Sequence, residues 1–204
     1  MISTLCKTLL QERIIVILRG LQPEKAVETG GILTNAGARF LEVPLNTPNA
    51  LETIQILSEH FRGTEIRIGA GTVLVPDDVR RAQDAGAGYI LSPNVRETVI
   101  RETVARGLVS IPGFQTPTEA FFAMECGAHL LKAFPCSSPE NIAVLKSVIR
   151  LPVFAVGGIH AGNAAAYLKT SDGIGVGNGI YSPEWTPEIL KRKSREFFEK
   201  CRFN

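Results

Sequence analysis

A lysine stands in the run His129-Leu-Leu-Lys-Ala-Phe-Pro135, with apolar residues on both sides of it. If the run is a strand, alternation places Lys132 on the same face as Leu130 and Phe134. Burying an ammonium group among such neighbours is costly, and desolvation drives its pKa down toward neutrality. A neutral amine held in that way is a nucleophile toward carbonyl carbon and can form a Schiff base. A strand-end ammonium reaching water, or a buried ion pair, explains the same run, and the run alone leaves all three readings open. A second ionisable residue bears on the choice. Glu42, Pro44 and Asn46 share one face of a strand by alternation. If that face and the face of Lys132 both point inward, Glu42 becomes a proton shuttle whose pKa depends on the lysine. A salt bridge from Glu42 to Arg19 or Arg39 is the structural alternative.

A second group of residues suits an anion. Val156-Gly-Gly-Ile-His160 and Gly173-Ile-Gly-Val-Gly-Asn-Gly-Ile-Tyr181 are both rich in glycine. Glycines allow backbone N–H groups to approach a ligand closely, and a helix N-terminus behind them favours negative charge. Tight turns alone also use glycine. Two such segments at neighbouring strand ends point to phosphate.

The elements that must position these residues follow a regular order. Short β-rich runs recur at Ile14–Arg19, Phe40–Asn46, Ile66–Gly71, Tyr89–Ser92, Leu108–Pro112, His129–Phe134, Val153–Val156 and Gly173–Gly177. Amphipathic segments separate them, opened by Pro23, Pro48, Pro76 and Pro117. Gly37, Gly86 and Gly127 follow the ends of three of these segments, as helix C-caps do. Eight strands alternating with helices predict an α/β fold, a (β/α)8 TIM barrel forming one domain over residues 1–204. A doubly wound open sheet would carry a glycine fingerprint after its first strand, where this chain has Leu18-Arg-Gly-Leu-Gln-Pro23. In a barrel the chemistry sits at the C-terminal ends of the strands and in the loops after them. Arg19, Glu42, Asn46, Thr72, Ser92, Asn94, Gln115 and Lys132 all fall at such places.

Composition removes other classes. The chain has 204 residues, 45% of them hydrophobic, and a formal charge of +2, so neither nucleic acid nor an anionic membrane is the expected partner. The basic cluster Lys191-Arg-Lys-Ser-Arg195 reads as the solvated face of a C-terminal helix. Cys6, Cys126, Cys136 and Cys201 lack CxxC spacing, and no signal peptide or membrane-spanning run is evident, so a cytoplasmic protein with free thiols is expected. His60, His129 and His160 have no ligand spacing, and Asp77, Asp78 and Asp172 read as cap and turn residues. Without a dinucleotide or Walker motif either, the expectation is no cofactor and no metal.

Along nearly the whole chain, seven motifs occur in order: Glu42-Val-Pro-Leu-Asn46, Ile68-Gly-Ala-Gly-Thr-Val73, Leu91-Ser-Pro-Asn94, Ile111-Pro-Gly113, Thr116-Pro-Thr-Glu-Ala120, Leu131-Lys-Ala-Phe-Pro135 and Phe154-Ala-Val-Gly-Gly158. Together they resemble the class I aldolases of 2-keto-3-deoxy-6-phosphogluconate and its C4 epimer, the phosphogalactonate. The resemblance implies that Lys132 forms the Schiff base and that Glu42 is the general acid/base. It implies substrate contacts at Arg19, Thr72, Pro93, Phe134 and Val156, and phosphate binding by Gly157, Gly158, Gly177 and Asn178. It also implies a homotrimer acting on a phosphorylated keto-sugar acid and pyruvate.

Two positions separate the epimers within that family. The gluconate enzymes usually carry Pro-Thr before the paired glycines and an arginine near the end of the Glu motif. This chain has Ala155-Val156 and Asn46 there, which resembles the galactonate branch. It departs from the family in having Asn178 where a phosphate-binding serine is common, and in the short loop Cys136-Ser-Ser-Pro-Glu140, which lacks a Gly-Pro element. The alternatives are the gluconate epimer as substrate, another phosphate-binding barrel enzyme, a decarboxylating or transaldolase-like enzyme, or a phosphosugar-binding barrel without catalysis.

Overall fold

The computed structural model describes residues 2–202. Eight parallel strands close into a barrel in the order β1-β2-β3-β4-β5-β6-β7-β8, with β8 paired back to β1. The strands are β1 (Ile14–Ile17), β2 (Phe40–Pro44), β3 (Arg67–Gly71), β4 (Tyr89–Ser92), β5 (Val109–Phe114), β6 (Leu131–Ala133), β7 (Val153–Val156) and β8 (Gly173–Val176). Each lies within, or within two residues of, the run expected for it. The expected β1 is shorter by two residues at its end, which leaves Arg19 in the loop. The expected β6 loses His129 and Leu130 because both of their N–H groups converge on Ser110 O, at 3.1 and 3.3 Å.

Helices cover the barrel. They are α1 (Ile2–Glu12), α2 (Ala26–Ala36), α3 (Ala50–His60), α4 (Pro76–Asp84), α5 (Glu97–Ala105), α6 (Pro117–Glu125), α7 (Pro139–Lys146), α8 (Ala164–Thr170) and α9 (Pro187–Arg202). The glycine stops are where the sequence puts them: Gly37, Gly86 and Gly127 have φ of 131°, 98° and 95°, a region closed to most side chains. At the start of α6, Thr116 accepts from Glu119 N while the Glu119 carboxylate accepts from Thr116 N, a reciprocal cap that fixes where the helix begins. The short loop after Phe134-Pro135 has a local cause, since Ser138 Oγ accepts from Asn141 N at 3.2 Å and α7 starts at once.

Inside the barrel, Ile15, Phe40, Tyr89, Leu91, Val109, Ile111, Leu130 and Phe154 form one buried cluster. Glycines make room for its larger members. A Cβ at Gly69 would overlap the Tyr89 ring, and one at Gly173 would overlap Phe154. The Tyr89 hydroxyl, fully buried, donates to Leu41 O at 2.8 Å. The helix α1 precedes the first strand and lies outside the strand-and-helix repeat that the sequence predicts. Leu9 of α1 is fully buried in the inner cluster, and Leu5, Cys6 and Leu10 pack against it. That helix therefore stoppers the N-terminal end of the barrel and leaves the other end as the open one.

Candidate active site

Strand parity brings Glu42 and Lys132 into the barrel. Phe40 and Leu130 belong to the inner cluster, so Glu42 and Lys132, each two residues further on, point the same way and lie one layer closer to the open end. Their solvent exposures are 3% and 6%. Lys132 Nζ lies 4.7 Å from the centroid of the Phe134 ring. Among the described residues no direct ion pair joins Lys132 to a carboxylate. Glu42 Oε2 is likewise a buried oxygen without a hydrogen-bond partner. Neither alternative salt bridge to Glu42 forms. Arg39 donates to Thr34 O and Ala38 O, and Arg19 Nη1 donates to Asn46 Oδ1 at 2.7 Å.

Burial dominates the electrostatics of this pair. Desolvation lifts the Glu42 carboxyl to about 7, although Lys132 and then Arg19 pull it back toward ionisation. Desolvation brings the Lys132 ammonium down to about 8; Glu42 resists the fall and Arg19 adds to it. The barrel mouth therefore contains an amine that becomes neutral as pH rises through about 8, well below the ordinary lysine range, and a carboxyl able to give or accept a proton near pH 7. Those are the two properties that imine formation and general acid/base chemistry require.

The other residues singled out in the sequence ring the same end. Thr72 follows β3 with φ of 54°, a left-handed conformation unusual for a β-branched residue and typical of functional loops. Pro93 follows β4, and its backbone carbonyl packs so closely on Gly113 that a Cβ there would collide with it. Phe134 follows β6. Val156 ends β7, 5% exposed, with Cγ2 in the space a Cβ at Gly175 would need. Gly157 and Gly158 have φ of 122° and 65°. Gly177 opens a tight turn in which its carbonyl accepts from Ile180 N and Tyr181 N, at 2.9 and 3.0 Å. Among the described residues, the N–H groups of Gly158, Ile159, Asn178 and Gly179 have no protein acceptor, so two adjacent loops present backbone donors to an anion.

Some features are visible only in the structure. A cleft of about 550 Å³ beside the mouth is lined by Asn46, Thr47, Glu52, Thr72 and Arg81 among others; it does not reach Lys132 or Glu42. Gly71 is the other. A Cβ there would overlap Glu42 Oε1, so the glycine creates the slot in which the carboxylate lies. Alternation places Gly71 on the inner face two residues beyond Gly69, the pairing partner of Glu42, but only the position of the Glu42 side chain shows what the glycine is for. Among the described residues no group of three or more His, Cys, Asp and Glu side chains is arranged to hold a metal ion. None of the described helices is long and apolar enough to cross a membrane.

Residues 5–187 match the model of the aldolase family described as KDPG and KHG aldolase. The chain is 37% identical over 194 residues to the 2-dehydro-3-deoxy-6-phosphogalactonate aldolase of Escherichia coli (strain K12), covering 93% of this chain and 94% of that protein. The solved native KDPGal structure is 36% identical, covers 93% of this chain and 94% of its own, and superposes with a TM-score of 0.89. The KDPG aldolase of Legionella pneumophila, solved with pyruvate captured at low pH as a covalent carbinolamine, is 26% identical over 92% of this chain and 91% of its own, with a TM-score of 0.75.

Proposed function

From the chain's membership of the KDPG and KHG aldolase family, we propose that it cleaves 2-dehydro-3-deoxy-6-phosphogalactonate reversibly to pyruvate and D-glyceraldehyde 3-phosphate through a Schiff base on Lys132. The observation that carries this reading is the buried, unpaired amine of Lys132 beside the buried, unpaired carboxyl of Glu42. Neutral Lys132 adds to the C2 ketone, and the carbinolamine loses water to give an iminium. Glu42 takes the C4 hydroxyl proton as the C3–C4 bond breaks, and the bonding electrons pass into the iminium to form an enamine. Glyceraldehyde 3-phosphate leaves. Protonation of the enamine at C3 and hydrolysis of the resulting imine release pyruvate and restore the amine.

Arg19, Thr72, Pro93 and Phe134 bound the pyruvyl end in this reading, and the loops of Gly157-Gly158 and Gly177-Asn178 hold the phosphate. Asn178 is exposed in the loop after β8, where its side-chain amide can donate as the family's serine does. Preference for the galactonate epimer is supported by Val156, whose apolar side chain supplies no hydroxyl at the inner end of β7. It is further supported by the greater identity to the phosphogalactonate enzyme (37%) than to the phosphogluconate aldolase of Treponema pallidum (32%). A homotrimer in the cytoplasm completes the proposal; Phe121 and Phe122 on α6, 44% and 43% exposed, are apolar surface available to such an assembly.

Intact-protein mass after incubation with pyruvate and borohydride tests the reading. A stable pyruvyl adduct mapping to Lys132 is expected. No adduct, under conditions that label a known class I aldolase, overturns it.

A further inference from the structure

Among the described residues, Arg19 is the cation outside the pair that acts on both Glu42 and Lys132, yet it sits on an exposed loop and needs something to hold it. That loop is stitched to the segment carrying Glu42 at three successive residues. Leu18 N donates to Glu42 O at 2.8 Å. Arg19 Nη1 donates to Asn46 Oδ1 at 2.7 Å. Gly20 N donates to the side-chain hydroxyl of Thr47 at 3.0 Å. The first is the ordinary continuation of the sheet. The other two use side chains that the sheet does not require.

Thr47 is well placed for such a duty. It is 5% exposed, and its own N–H donates to Pro44 O at 2.9 Å, so burial and a turn bond anchor the residue that carries the hydroxyl. Gly20 has φ of 83°, and a Cβ there would press on Pro183, so the turn after Arg19 admits little variation. A guanidinium on a long, exposed side chain otherwise samples many rotamers, and fixing it costs side-chain entropy. Fixing the backbone on both sides of Arg19 and accepting from its Nη1 reduces that freedom before substrate arrives.

We propose that Thr47 and Asn46 are positioning residues that hold Arg19 in register with the Glu42–Lys132 pair. The proposal rests on the aldolase reading above and deepens it. Thr47 acts through Gly20 and Asn46 acts on Arg19 directly. The charged and titratable groups around Glu42 are Lys132 from β6, Arg19 from the loop after β1, and Tyr89 from β4. Of these, Lys132 and Tyr89 are buried on strands, whereas Arg19 depends on the clasp. Releasing it weakens a cation that favours ionised Glu42 and neutral Lys132, so both groups ionise or deprotonate at higher pH.

The test is a double-mutant cycle between Thr47→Val and Arg19→Ala, with Thr47→Ser and Asn46→Ala as companions, read as kcat and KM for the phosphorylated keto acid across pH. Pyruvate trapping by borohydride and thermal midpoints are measured on the same preparations. Thr47→Val is expected to raise KM about tenfold and move the rising limb of kcat/KM to higher pH. Thr47→Ser should restore both, Asn46→Ala should share the direction, and the Thr47→Val effect should vanish in the Arg19→Ala background. If trapping on Lys132 persists but the Thr47→Val and Arg19→Ala effects simply add, or Thr47→Val changes only the thermal midpoint, the clasp is overturned and the aldolase reading stands. If the unaltered protein traps no pyruvate, the aldolase reading falls and the clasp falls with it.

Discussion

The carboxylate of Glu42 lies in the volume that a side chain at Gly71 would occupy. The two residues belong to neighbouring strands, β2 and β3, and share the inner face of the barrel. Their relationship is one of exclusion, since any Cβ at position 71 overlaps Oε1 and crowds Cδ of Glu42. Gly71→Ala is therefore expected to push the carboxylate off its position without removing it. A displacement on the ångström scale at a reacting group costs about 100-fold in rate. Overpacking of a buried site costs about 1–3 kcal/mol of stability. Turnover of the phosphorylated keto acid should fall by about that factor while Lys132 still traps pyruvate, because the amine itself is untouched. A Gly71→Ala protein with unchanged kcat would show that the Glu42 position is not critical.

Glu42 and Lys132 also influence each other's protons, which gives a pH test. Imine formation needs neutral Lys132, so the initial rate of pyruvate trapping should rise as pH increases through about 8 and level off above it. Glu42 is the group that holds the Lys132 value up. Glu42→Gln removes that anion, so the midpoint of the trapping curve should move to lower pH. Turnover should drop at the same time, by about 10²–10⁴-fold, as proton transfer loses its shuttle. A trapping midpoint that stays in place, or turnover that survives, would remove Glu42 from the role proposed for it.

Keeping an ammonium ion in the barrel mouth has a stability consequence with a definite sign. The folded-state value of Lys132 is about 8, below the ordinary lysine value of 10.5. Below pH 8 the buried group is protonated in both states and the folded state bears the full penalty. Between pH 8 and 10.5 the unfolded chain binds more protons than the folded one, so stability rises with pH and the penalty fades. Lys132→Met should accordingly be more stable than the parent below pH 8, by up to about 3 kcal/mol, and the gain should shrink as pH rises toward 10.5. Urea unfolding at pH 7 and pH 10 measures it. A Lys132→Met protein less stable at pH 7 would mean that the lysine contributes packing or pairing beyond its charge.

The sequence was most legible where one rule of local geometry acts alone. The period-2 runs placed all eight strands, and Gly37, Gly86 and Gly127 marked helix ends because only a residue without a Cβ sits easily at φ near 100°. Alternation likewise put Lys132 and Glu42 on inner faces. The helix α1 was missed although Leu5 and Leu9 have helical spacing, because nothing local says that the end of a barrel needs closing. The partner of Arg19 was missed for a different reason. Asn46 is 27 residues away in sequence, and only closure of the β1–β2 pair brings the loops together. Gly71 stands inside the motif Ile68-Gly-Ala-Gly-Thr-Val73, but its role depends on where the Glu42 side chain ends, which period alone does not give.

Val156 offers the sharpest test of substrate choice. It ends β7 on the inner face, and its Cγ2 fills space that Gly175 leaves open on β8, so a replacement of the same shape meets the same walls. Val156→Thr keeps that shape and adds one hydroxyl. In the family resemblance, a threonine at this place goes with the gluconate epimer, whose C4 hydroxyl it can meet. One such hydrogen bond is worth about 0.5–1.5 kcal/mol, or roughly 2- to 13-fold in relative kcat/KM. The parent is expected to prefer the galactonate epimer, and Val156→Thr should move the ratio toward the gluconate epimer by a factor in that range. The free enzyme should lose some stability as well, because the new hydroxyl is buried before substrate arrives. Paired coupled assays on the two epimers decide the matter: a ratio that does not move places discrimination elsewhere, with Asn46 and Arg19 the next residues to vary.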